Sequence, residues 1–356
     1  MARLFIPGPT DVHPEVLQAQ VRPMVGHRST VFEQLYAHLQ PRLRQIFQTE
    51  HRVFVVASSG SGVWEGAMRS VVGRRLLLCV CGAFGQRWAE VAASNGTPFE
   101  QLDVEWGQAN LPEQVEGALR GGEFDTLAVV HNETSTGVEN PVQEIVARSR
   151  ALFPDLVIMV DAVSSAGGVP IPTDAWQIDV LVASSQKCFA LPPGLAFAAV
   201  SDRALERAAT VSNRGWYFDL VLLEKYHQRD TTPATPAISL LYALDFQLDR
   251  MLAEGMETRA ARHQQMASQV QSWAAEHFDL FAAAGYRSKT VTAIRNTRSL
   301  DVSALNKHLS KYEMSIANGY GPLKDKTFRI GHMGEIQPSD VTELLAHIDE
   351  FLKTAR

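Results

Sequence analysis

Between residues 53 and 200 the chain repeats one unit: a short apolar run, a cluster of small or polar residues, then a stretch that suits a helix. The runs cover residues 53–57, 76–81, 126–130, 156–161, 179–183 and 196–200. Each has strand length and β-branched content, so each reads as a strand buried on both faces. Such strands, separated by helices, argue for a mainly parallel sheet covered on both sides. In sheets of this kind ligands sit beyond the carboxyl ends of the strands, and the polar clusters all fall there.

The clusters carry different chemistry. Ser58-Ser59-Gly60-Ser61-Gly62 leads straight into a helix at Val63-Trp64-Glu65, where backbone N–H groups and the positive helix end can hold a phosphate. In Gly82-Ala83-Phe84-Gly85 the glycines allow close backbone approach, and Phe84 either offers a flat face to a planar ring or packs in the core. His131-Asn132-Glu133-Thr134-Ser135-Thr136-Gly137 sets hydroxyls at a strand end. Asp161 closes one run, and Lys187 emerges just past another, in Ser184-Ser185-Gln186-Lys187-Cys188. A strand-end lysine alone reads as a surface residue. Paired with a strand-end aspartate on the same sheet, it can bind one pole of pyridoxal phosphate as the Schiff-base amine while the aspartate holds the protonated ring nitrogen.

Around this core the reading is coarser. Two prolines make Phe5-Ile6-Pro7-Gly8-Pro9-Thr10 an extended arm. A helix starts at Pro14 and another spans residues 31–47, with the cationic loop Gly26-His27-Arg28-Ser29 between them. Residues 212–237 read as irregular, aromatic and rich in Pro and Thr, suited to packing on a surface or partner. Helices are predicted over residues 238–252 and 257–278. The expected division is 1–250, the arm and large domain, and 251–356, a small α+β domain with strands near Val291 and Phe328 and helices near 301–312 and 338–353.

A net charge of -6 gives no footprint for nucleic acid or an anionic membrane. No apolar run approaches the roughly 20 residues of a membrane span, and Met1-Ala2-Arg3-Leu4-Phe5-Ile6-Pro7 does not read as a signal peptide. The C-terminal Lys353-Thr354-Ala355-Arg356 is not a peroxisomal address, so a cytoplasmic location is expected. Cys79, Cys81 and Cys188 make no even disulfide framework; the C-x-C pair belongs to a strand, and no metal site is expected.

Taken in order, these motifs resemble the class V group of fold-type I pyridoxal-phosphate enzymes, and within it the serine-pyruvate and alanine-glyoxylate aminotransferases. The resemblance runs from Pro7-Gly8-Pro9 to Phe328-Arg329-Ile330-Gly331-His332-Met333-Gly334. It implies an α/β fold with a mainly parallel central sheet in a large domain, a smaller α+β C-terminal domain, and a homodimer with shared active sites. It implies a ping-pong transfer of an amino group from alanine or serine to glyoxylate or pyruvate. Lys187 is implied as the catalytic Schiff-base lysine and Asp161 as the partner of the pyridine nitrogen. Ser61, Gly62 and Gln186 are implied near the phosphate, Phe84 on the ring face and Thr134 on the ring-hydroxyl side. Gly8 and Arg329 are implied on the substrate side, with Arg329 holding the α-carboxylate. Thr232 or Thr235 is implied to reach the neighbouring subunit's phosphate. Val63 departs from the His or Thr that this family often has there, which removes a polar contact.

The alternatives are related activities and one different class. His27-Arg28 resembles the basic pair with which phosphoserine aminotransferases bind a substrate phosphate. A cysteine desulfurase would need a mobile nucleophilic cysteine far from the lysine, whereas Cys188 adjoins Lys187. A non-catalytic scaffold module is the remaining reading, against which the Lys187 and Asp161 pair argues.

Overall fold

Alternation at the two-residue period divides each central strand between two cores. Val53, Val55, Leu77, Cys79, Leu127, Val129, Ile158 and Val160 face one, while Phe54, Val56, Leu76, Leu78, Ala128, Val157 and Met159 face the other. The computed structural model describes residues 3–354. Met1 and Ala2, part of the signal-peptide reading, and Ala355 and Arg356, part of the peroxisomal one, lie outside the described residues.

The elements run β1 (Arg3–Phe5), α1 (Pro14–Ala19), α2 (Thr30–Phe47), β2 (Arg52–Ala57), α3 (Gly60–Val71), β3 (Leu76–Val80), α4 (Ala83–Ser94), β4 (Phe99–Asp103), α5 (Pro112–Arg120) and β5 (Thr126–Val130). A short hairpin, β6 (Asn132–Glu133) and β7 (Val138–Glu139), precedes α6 (Val142–Leu152), β8 (Val157–Asp161), β9 (Val180–Ser184), β10 (Leu195–Val200) and α7 (Asp202–Thr210). Then come α8 (Leu220–His227), α9 (Ile238–Glu254), α10 (Met256–His277), β11 (Asp279–Leu280), β12 (Val291–Arg295), α11 (Val302–Leu309), β13 (Met314–Asn318), β14 (Thr327–Gly331) and α12 (Pro338–Thr354).

The large sheet has the order β2-β10-β9-β8-β5-β3-β4. From β9 to β4 all pairings are parallel, and β10 runs antiparallel to both β2 and β9. This is the mainly parallel α/β sheet expected from the apolar runs. Helices α2, α5, α6 and α9 cover one face and α3, α4, α7 and α8 the other, each through its buried stripe.

A second sheet, β1-β13-β14-β12-β11, packs its own core against α10, α11 and α12. Its first strand comes from the other end of the chain: Arg3, Leu4 and Phe5 pair in parallel with Met314, Ser315 and Ile316. The extended arm is thus anchored before it turns toward the large sheet.

Two details differ from the sequence reading. Residues 212–237 are not irregular throughout, because α8 forms within them with Asp219 as its N-cap, accepting from the Val221 N–H. Strand β4 and helix α5 carry no strong apolar run; β4 is the sheet edge, and its residues are only half-buried or exposed. No helix among the described residues is long and apolar enough to cross a membrane.

Candidate active site

Adjacent strands β8 and β9 deliver Asp161 and the Lys187 segment to the same end of the sheet. There they enter one cavity of about 280 Å³, lined by Ser59, Gly60, Ser61, Trp64, Phe84, Arg87, Asn132, Thr134, Asp161, Val163, Ser164, Gln186 and Lys187. Six residues singled out from the sequence therefore meet: Ser61, Phe84, Thr134, Asp161, Gln186 and Lys187.

Lys187 is held from three sides. Thr10 donates its N–H to the Gln186 carbonyl at 3.1 Å and its hydroxyl to the Lys187 carbonyl at 3.1 Å. The Lys187 ammonium donates to the Pro7 carbonyl. From α10, the buried Arg259 donates to the Cys188 carbonyl at 2.7 Å and to the Gly167 carbonyl at 2.9 Å. Burial pushes the Lys187 ammonium down to about 8, helped by the nearby Arg329 cation.

Asp161 is buried and accepts the Val163 N–H at 2.7 Å, yet it forms no ion pair among the described residues. Burial pushes its carboxyl up to about 8 against that hydrogen bond.

The Gly-rich turn opens α3, whose N-cap Ser59 makes no side-chain cap bond. Ser59, Gly60 and Ser61, at the start of this helix, line the cavity. Gly60 has no room for a side chain, since a Cβ there would fall 2.6 Å from Val163 Cγ2. Gly62 stands further along: its N–H is bonded to the Ser59 carbonyl at 3.1 Å, and its α-carbon faces Ser58 and Phe218. Val63 is buried in the core.

Phe84 sits in the first turn of α4, where the fully buried Glu133 carboxylate accepts its N–H at 3.1 Å and that of Gly85 at 3.0 Å. The Phe84 ring stacks on Tyr320, with centroids 5.5 Å apart at 27°. Thr134 donates to Ser164 Oγ at 2.8 Å, and its carbonyl accepts from Arg329 Nη1 at 3.2 Å. Arg329, from β14, also donates to the Asn318 carbonyl at 3.1 Å; burial pushes its guanidinium down to about 10. Gly8 backs directly onto the Lys187 side chain.

His27, Arg28, Thr232 and Thr235 do not join this cavity. Arg28 donates to Thr231 Oγ1 at 3.0 Å and to the Thr232 and Pro233 carbonyls, so the predicted cationic loop is a clamp on the Thr-Pro loop. Thr232 and Thr235 line a separate cleft with Val55, Val56 and Tyr217. All three thiols are buried; burial pushes Cys79 up to about 12 and Cys188 to about 11, unlike a mobile nucleophile.

The sequence reading missed Trp64, Arg87, Asn132, Ser164 and Tyr320. Arg87 had a signal, since it lies one helical turn beyond Phe84 and shares its face. Tyr320 had none, because only the fold brings the β13–β14 connection to α4.

Residues 12–322 match the aminotransferase class-V family. The chain is similar to an uncharacterized aminotransferase of Methanocaldococcus jannaschii, 38% identical over 98% of this chain and 92% of that protein. It is 33% identical to the L-aspartate--glyoxylate aminotransferase of Paracoccus denitrificans, over 94% of this chain and 86% of the relative. Among solved structures, alanine--glyoxylate aminotransferase from Nostoc sp. superposes with a TM-score of 0.92 at 31% identity, covering 99% and 96% of the two chains.

Proposed function

The chain belongs to the class-V aminotransferases, and we propose that it is a pyridoxal-phosphate-dependent enzyme moving an amino group from alanine or serine to glyoxylate or pyruvate. The observation that carries this reading is the entry of Lys187 and Asp161 into one buried cavity from neighbouring strands. The names of the glyoxylate aminotransferases similar to it support the acceptor.

The cavity's own chemistry fits the cofactor. Asp161 is a buried acid without an ion pair, so a cationic ring nitrogen would stabilise its carboxylate. Gln186 Oε1 is buried without a hydrogen-bond partner among the described residues, as a group reserved for a ligand would be. The uncapped start of α3 suits a phosphate. In this reading Asp161 holds the ring nitrogen, the Ser59-Gly60-Ser61 turn and Gln186 hold the phosphate, Phe84 lies on the ring face and Thr134 on the hydroxyl side. Gly62 supports the turn from within the helix.

When bound, pyridoxal phosphate supplies an electron sink for the pair left at the amino acid's Cα. Lys187 Nζ takes the Cα proton, and its depressed pKa keeps a working fraction of neutral amine near neutrality. Arg329 presents paired N–H donors to the α-carboxylate and fixes Cα within reach of that amine. The backbone carbonyls of Asn318 and Thr134 orient the guanidinium.

The working unit in this proposal is a homodimer in which the Thr232 or Thr235 loop, clamped by Arg28, reaches the neighbouring subunit's phosphate. Exposed Trp216, Val21 and Met24 supply apolar surface for such contact. The domains divide at 250, with 1–250 carrying the cofactor site and 251–356 the Arg329 sheet. Unpaired thiols support a cytoplasmic location.

The test is spectroscopic and catalytic. Adding pyridoxal phosphate to the protein should give a visible absorbance band, and alanine or serine with glyoxylate should then turn over. Lys187→Ala should lose the band and reduce turnover by about four orders of magnitude. Undiminished activity in that variant would sink the reading. Phosphoserine with 2-oxoglutarate as the better pair would replace it with the alternative activity.

A further inference from the structure

Two guanidinium groups flank one tyrosine at the edge of the Lys187 cavity. Arg329 Cζ lies 5.5 Å from the Tyr320 ring centroid, and Arg87 Cζ lies 6.0 Å from the same centroid. Neither pairs with a carboxylate among the described residues. Arg329 is engaged by the two carbonyls already described, and Arg87 Nη2 donates to the Tyr320 hydroxyl at 2.5 Å. Arg87 also rests over the Phe84 ring, with its Cζ 5.0 Å from the centroid. Its head is therefore oriented by the hydrogen bond to Tyr320 and by the Phe84 ring, while further N–H donors remain for a ligand.

Two like charges held this close to a cavity favour anionic occupants in pairs. The nearby acids do not neutralise them: Asp161 belongs to the ring-nitrogen end, and Glu133 is fully committed to the α4 N-terminus and Ser135. One guanidinium accounts for an α-carboxylate. The second has no assigned partner in a transfer between monocarboxylates such as alanine and glyoxylate.

We propose that Arg87, tethered by Tyr320, forms a second anion subsite that takes the distal carboxylate of a dicarboxylic amino acid or 2-oxo acid. The inference rests on the aminotransferase reading, in which Arg329 holds the α-carboxylate. It adds an acidic amino acid of aspartate type to the donors proposed above, beside alanine and serine. Arg87 is a specificity-determining residue, because it contacts the substrate's far end rather than Cα. Tyr320 is a positioning residue, acting through Arg87.

The subsite can be tested by binding alone. In calorimetric titrations of the full chain loaded with pyridoxal phosphate, succinate should bind at least tenfold more tightly than propionate. The Arg87→Gln variant should bring the two ligands to within about threefold, with Arg87→Lys in between. Tyr320→Phe should weaken succinate binding several-fold and leave propionate less affected. Equal affinities for succinate and propionate in the unaltered protein would overturn the subsite, as would an Arg87→Gln loss shared equally by both. Turnover adds a second measure: the ratio of kcat/KM for aspartate to that for alanine should fall about ten- to a hundredfold in Arg87→Gln. Turnover of alanine with no gain for aspartate overturns this inference and leaves the aminotransferase reading standing. Succinate selectivity without turnover of any donor overturns that reading instead.

Discussion

Gly8 and Lys187 leave no room for a side chain between them: a Cβ on Gly8 would fall 2.6 Å from Lys187 Cδ and 2.7 Å from Nζ. Gly8 also has a φ of +96°, which L side chains rarely adopt. Gly8→Ala should push the lysine out of position while β1 stays paired. Turnover is expected to fall about a hundredfold, with far-ultraviolet circular dichroism retained. Turnover within threefold of the unaltered protein would contradict this packing.

The depressed Lys187 pKa has a sign that cofactor capture can read. Only the neutral amine attacks the aldehyde, so the capture rate should rise about tenfold per pH unit below pH 8 and level off above it. A lysine at its ordinary value of about 10.4 would still be climbing at pH 9. Removing the nearby cation with Arg329→Gln should move the plateau to higher pH, because one of the forces against the ammonium is gone. Stopped-flow absorbance across pH 6 to 10 would measure both curves.

Glu133 accepts from the Phe84, Gly85 and Ser135 N–H groups and from Ser135 Oγ at 2.6 Å. Burial pushes its carboxyl up, and these four donors offset that rise only in part. Glu133→Gln keeps the shape but turns an amide N–H toward other donors. Stability should drop by about 3 kcal/mol in urea unfolding. Loss of less than 0.5 kcal/mol would show that the carboxyl is already protonated in the folded protein.

Glu335 joins Arg259, Arg250 and Gln247 at 3.0–3.1 Å. Burial works to raise its pKa, but the Arg259 charge and these hydrogen bonds overcome it and hold the carboxyl near 2. A depressed pKa contributes stability that is present above the unfolded value of about 4.3 and is lost as pH falls toward 2. Glu335→Gln should therefore cost on the order of 2–3 kcal/mol at pH 7, and the difference should shrink across that acid window. Parallel pH-dependent unfolding curves for the two proteins would refute the linkage.

Much of this site was legible because the chemistry sits at strand ends. The apolar runs before Asp161, Lys187 and Thr134 mark buried strands, and a parallel sheet brings their ends together. Position within a turn was harder: Ser61 faces the cavity while Gly62 turns away, a difference set by helix phase at the first residues of α3. Arg28 looked like a ligand for anions, yet carbonyls of the Thr-Pro loop occupy it. Carbonyl partners leave no mark in side-chain sequence. Tyr320 was invisible for the same reason that β4 was, since no local period announces a contact made across the fold.

The pairing of β1 with β13 also sets an order of events during synthesis. Residues 3–5 are made well before the strand they join, Met314–Asn318, so they wait for the intervening chain. Pro7 and Gly8, carried on that strand, complete the surroundings of Lys187 only afterwards. The large sheet can close on its own neighbours while the lysine is still free of the arm. The arm's share of the Lys187 surroundings therefore depends on a strand made well after the lysine itself.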